Sequence, residues 1–117
     1  MLDKCVRDQW SVDDLDWNRP PPRLPREKEE AVVQYFTDMA GIERLAGALF
    51  GLQARKAEDP TLKAIFESFV VDEKRHSEVA KRLCAHYDVH HYQSYELNPH
   101  LLRFRAPFVE AVHHLPP

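Results

Sequence analysis

The sequence predicts an all-α fold built on an antiparallel two-helix hairpin, and three observations predict it. Between Arg26 and about Ala57 there is no proline, and Val32, Phe36, Met39, Ala46 and Phe50, with Glu43 interposed, step along in alternating fours and threes. A second row, Leu62, Phe66, Phe69, Glu73, His76, Ala80, Leu83 and Tyr87, repeats the alternation without a break. That is the period of one face of a helix, not of a strand. Only two or three residues separate the two rows, which leaves the helices room to pack side by side and in opposite directions.

Each boundary has a chemical reason. Residues 1–25 form an arm whose Pro20, Pro21, Pro22 and Pro25 prevent a helix and favour an extended, polyproline-like strap. Glu27, Glu29 and Glu30 then crowd the first turns of the first helix, where negative charge meets the positive end of the dipole. Asp59 is a side-chain cap, and Pro60 suits the first helical position because its missing N–H has no partner there anyway. The hairpin is expected over residues 26–88. Beyond it, residues 89–117 lose period, with His90, His91, Tyr92, Tyr95, Pro99 and Pro107 reading as an irregular connection. At most a short helix is expected, around Phe108 to His114.

Composition excludes several functions. The chain has 117 residues with 16 Lys and Arg against 19 Asp and Glu, a net charge of −3. No broad basic surface for nucleic acid follows from that balance. With no run of about 18 apolar residues and no secretory apolar segment, a soluble, cytoplasmic protein without membrane contact is expected. Cys5 and Cys84 are too few for a disulfide framework and read as free thiols. There is no Ser/His/Asp arrangement, phosphate-binding glycine loop or nucleotide fingerprint.

Three residues break the apolar rows where a hydrophobe belongs: Glu43 in the first, Glu73 and His76 in the second. An ionised carboxylate in a seam costs several kcal/mol unless it is neutralised, paired or bound to a cation. Glu-x-x-His brings both side chains to one side of a helix one turn apart. Glu43 lies 14 residues before the end of the first helix near Ala57, and Glu73 lies 13 after Pro60. An antiparallel hairpin therefore sets all three at one level. Each alone has an ordinary reading, a solvated carboxylate or a satisfied core histidine; the conjunction is what points to a metal. His86, His90, His91, His113 and His114 are expected to have surface or connecting roles, because adjacent histidines point in different directions.

The segments Ile42-Glu43-Arg44-Leu45 and Asp72-Glu73-Lys74-Arg75-His76 resemble one half of the ferritin-like di-iron carboxylate superfamily, whose four-helix bundles hold two metals between two glutamates and two Glu-x-x-His pairs. The resemblance covers about residues 26–88. It implies Glu43 as a terminal or bridging ligand, Glu73 as the bridging carboxylate and His76 as the imidazole ligand. It also suggests Asp72 as acceptor for a ligand histidine's other ring nitrogen and Arg75 as partner of a carboxylate. Tyr35, about two turns from Glu43, is a candidate electron relay or a simply packed ring. Half the ligands are missing, so the implied site needs a second copy of the chain in a homo-oligomer, or a second half in a longer protein. Iron, with manganese as the other candidate, suits the carboxylate-rich set and points to dioxygen as a partner. Three functions stay open: an oxidoreductase that activates dioxygen, a ferroxidase of two-helix iron-storage type, and a metal-free helical dimerisation module.

Overall fold

The structure is a computed structural model that describes residues 9–113. Cys5 and His114 lie outside the described residues. A 3₁₀ turn at Val12–Asp14 precedes α1 (Arg26–Lys56), α2 (Pro60–Tyr87) and α3 (Pro99–His113), with no strand among the described residues. α1 and α2 form the hairpin. Their link is Ala57, Glu58 and Asp59; the Asp59 carboxylate accepts from the Thr61 N–H at 2.9 Å, and Pro60 is the first helical residue.

The contact line of the hairpin is offset from the expected row. On α1 the buried residues are Glu29, Val33, Ala40, Gln53 and Ala54, and on α2 Ser77 and Ala80. Of the expected seam only Ala80 is buried, while Val32, Phe36, Met39, Glu43, Ala46 and Phe50 are half-buried. The reason is size. Small side chains let two backbones approach, so Ala40 takes the Ser77 hydroxyl on its carbonyl at 3.4 Å, and Gly47 sits against Glu73. Near the other end, the Cys84 thiol meets the Thr37 hydroxyl at 3.3 Å and the Val33 carbonyl at 3.7 Å. The bulkier row is turned to one open face of the pair.

That face has two aromatic patches. Phe50, Phe66 and Phe69 make one, with centroid separations of 5.1–6.4 Å; Phe36 stacked on Tyr87 at 5.8 Å makes the other. Pro22 and Leu24 of the arm border the second patch, beside Phe36 and Tyr87. The molecule measures 51 × 36 × 14 Å, and its thin dimension is little more than one helix with its side chains, about 10–12 Å. Val33 is the only large side chain that is fully buried among the described residues.

The arm lies along the outer flank of α2. Ser11 and Asp14 cap the 3₁₀ turn reciprocally, and the Trp17 indole N–H donates to the Val12 carbonyl at 2.8 Å. Trp10 and Trp17, seven residues apart, meet Arg75 and Arg82, also seven apart. The guanidinium carbons stand 5.0 and 4.6 Å from the ring centroids. Arg82 also pairs with Asp13 at 2.9 Å. These cation–π contacts fix an extended segment that has no ladder of its own.

At the other edge the sequence expectation is corrected. α3 begins at Pro99, well before Phe108, and continues through Pro107. Asn98 caps it, its side chain accepting from the His100 N–H at 3.0 Å, so Asn-Pro is a helix start here and not a loop signal. The connection 88–98 is also more ordered than expected. Asp38 accepts from the Asn98 N–H at 2.9 Å, and Gln34 donates to the Glu96 carbonyl at 2.8 Å. Glu29, 3% exposed, meets the His90 ring at 2.7 Å, which gives a histidine read as peripheral a buried partner.

Leu97 nests on Gly41, and this contact joins the α3 region to α1. A Cβ at Gly41 would collide with Leu97 Cδ1, whereas one at Gly47 would lie 3.5 Å from Glu73 Cβ, an ordinary contact. The same substitution is therefore expected to act oppositely. Gly47→Ala should raise the stability of the metal-free protein by about 0.5–1 kcal/mol through helix propensity. Gly41→Ala should forfeit that gain and accelerate amide exchange over residues 97–105, read by hydrogen–deuterium exchange.

Candidate metal centre

Glu43 lies near the middle of α1, Glu73 and His76 on successive turns of α2, and the antiparallel register brings them level. His76 Nδ1 is 3.5 Å from Glu43 Oε2 and 3.6 Å from Glu73 Oε2. One ligand atom from each of the three lies within 4.8 Å of the others. The side chains are 20% (Glu43), 15% (Glu73) and 40% (His76) exposed, so the histidine is the open edge of the cluster. The group sits between the two aromatic patches.

The electrostatics are those of crowded carboxylates. Burial, then the hydrogen bond and charge of Glu43, push the Glu73 carboxyl up to about 7, against a smaller downward pull from His76. Glu73 Oε2 is buried and has no hydrogen-bond partner among the described residues. A carboxyl in this position holds a proton near neutrality or needs a cation in its place.

The residues around the cluster divide. Asp72 accepts from the Arg75 guanidinium at 2.7 Å, so Arg75 has a carboxylate partner, and no hydrogen bond joins Asp72 to a histidine ring among the described residues. Arg75 also reaches Gln9 and lies beneath Trp10, while the Trp10 ring stacks on His76 at 6.2 Å with 17° between planes. The arm, expected as an extended strap, thus also lies over one edge of the cluster through Trp10. The tryptophan had no signal in the periodicity because it lies outside the helices. Tyr35 is 58% exposed, packed edge-on against Phe36, and about 12 Å along the axis from Glu43. It is outside the cluster. His86 contacts Trp17 and Tyr87, His91 pairs with Asp88 at 3.1 Å, and neither approaches the three candidate ligands.

Among the described residues no helix is long and apolar enough to cross a membrane. Comparison with protein-family models, with curated proteins and with solved structures returns no match.

Chemically, two carboxylates and one imidazole converging from two helices make an oxygen-rich donor set for a divalent metal with open positions. The raised Glu73 carboxyl fixes a sign for pH dependence. A group whose folded pKa is raised binds its proton more tightly in the folded state, so its stabilising contribution is full below its ordinary value and lost as pH rises through about 7. The melting temperature of the metal-free protein should therefore fall between about pH 4.5 and 7, and Glu73→Gln should flatten that slope. Glu43→Leu removes the charge that crowds Glu73. It is expected to raise the metal-free melting point by a few degrees, roughly 1 kcal/mol, in calorimetry; a lowered value would contradict the crowding.

Proposed function

We propose that the protein is a ferritin-like carboxylate metalloprotein, an oxidoreductase that uses dioxygen, whose metal pair is completed by a second copy of the chain. The observation that carries this is the orphaned, buried Glu73 oxygen within a three-residue cluster on an aromatic-flanked face. A layer one helix thick cannot bury its own hydrophobic face; two such layers face to face make a four-helix bundle with one core. A two-fold axis through that face supplies a second Glu43, Glu73 and His76 opposite the first. Iron is the metal of choice, with manganese compatible with the same donors.

Bound iron would supply two-electron chemistry toward dioxygen. The chain's own residues set the conditions. Glu73 gives up its proton when a cation arrives, Glu43 supplies the second charge, and His76 contributes the neutral ligand. The Phe50 and Phe36 patches exclude water on either side, and Trp10 limits the freedom of the His76 ring.

One observation favours an alternative of another class. A proton on Glu73 shared with Glu43 satisfies part of the cluster without metal, which suits a metal-free dimerisation module. Iron storage is less well supported, because Asp13 is paired with Arg82 and Asp14 with the Ser11 N–H, so these acids of the arm are engaged away from the cluster.

The deciding experiment is anaerobic loading with iron(II), aeration, and measurement of metal content and mass in solution. About one iron per chain in a dimer or larger assembly is expected, falling to background in Glu73→Ala and His76→Ala. Iron-free wild-type protein, or unaltered iron in both variants, would reject the metal assignment. Reductant-dependent consumption of dioxygen beyond the iron supplied separates an oxidase or oxygenase from a ferroxidase.

A further inference from the structure

A groove of about 540 Å³ between α1 and α2 is lined in part by the same two glutamates, which are less exposed than the bases around them. We infer that this groove binds a small organic carboxylate, with the anionic head at Arg44 and an apolar body against Ala48 and Val70. The inference rests on the reading above and names the substrate class of that site.

Charge selects the head group. Arg44, Lys74 and Lys81 line the groove, all exposed, and none of them is in an ion pair among the described residues. Apart from Glu43 and Glu73, Glu78 is the only acid lining the groove. A cation arriving from solvent meets three positive side chains first, so this is a poor entrance for iron(II) and a good one for an anion. Arg44 adds geometry to charge, because a guanidinium grips a carboxylate through two parallel N–H donors.

Shape selects the body. Ala48 and Val70 give apolar walls, and Gly47 leaves out a side chain where the helices meet. Inorganic phosphate has nothing to set against Val70 and Ala48, whereas a short aliphatic chain does. The volume lies within the usual range of small-molecule sites, about 300–1,000 Å³. A metal held by the glutamates would change their part of the lining from negative toward positive, so anion and metal should each tighten the other's binding.

The probe is hexanoate, with hexan-1-ol, hexylamine and inorganic phosphate as comparisons, titrated by calorimetry into the full chain before and after iron loading. Metal content is measured separately on each sample. Hexanoate should bind at least about tenfold more tightly than any of the three comparisons. Arg44→Gln should remove about tenfold, and Lys74→Gln a smaller factor, with metal content unchanged in both variants. Hexanoate no tighter than hexan-1-ol or phosphate, or equal binding by Arg44→Gln, in both forms of the protein overturns the inference. Iron-free wild-type protein overturns the metal reading instead, and Arg44-dependent hexanoate binding would then mark a groove that works without metal.

Discussion

Two carboxylates facing one another across a helix pair are the constraint around which this molecule is arranged. Glu43 and Glu73 share one small volume with His76, and burial together with mutual repulsion raises the Glu73 carboxyl into the neutral range. A hydrophobe at either position would pack better in a hairpin that had only stability to satisfy. Keeping them requires something positive between them, and a proton or a divalent cation are the two candidates. The metal and metal-free readings differ only in which of these is resident.

The closeness of the glutamates depends on the small residues beside them. Ala40, Gly47, Ser77 and Ala80 draw the helices together, and the large side chains are thereby turned to a flank where they remain half exposed. The result is a layer with two distinct surface regions. One carries phenylalanines around the polar cluster, with Trp10 of the arm against its histidine edge. The other carries Arg44, Lys74 and Lys81 over a groove. A layer with so little core of its own is understandable as part of a larger bundle, which is why the proposed site and the proposed assembly stand or fall together.

The arm ties this layer to the cluster. Its two tryptophans match two arginines on α2 at the same spacing, and the first of them lies against His76. Arg75, expected only as a carboxylate partner, turns out to join Asp72, Gln9 and Trp10 in one contact. A residue flanking the cluster in sequence thus transmits the arm's position to the histidine edge.

The sequence by itself determined the two long helices, the Asp59-Pro60 boundary and the level of Glu43 with Glu73 and His76, because helical period and loop length are local and the register of a short hairpin follows from them by counting. It misplaced the contact line by one position, took Asn98-Pro99 for loop, and gave His90 no partner. Those depended on how near two backbones approach, on whether Leu97 finds the space above Gly41, and on a glutamate buried 61 residues from its histidine. Such choices are made by packing between segments distant in the chain. Periodicity records which residues share a face of one helix; only the tertiary structure decides what that face meets.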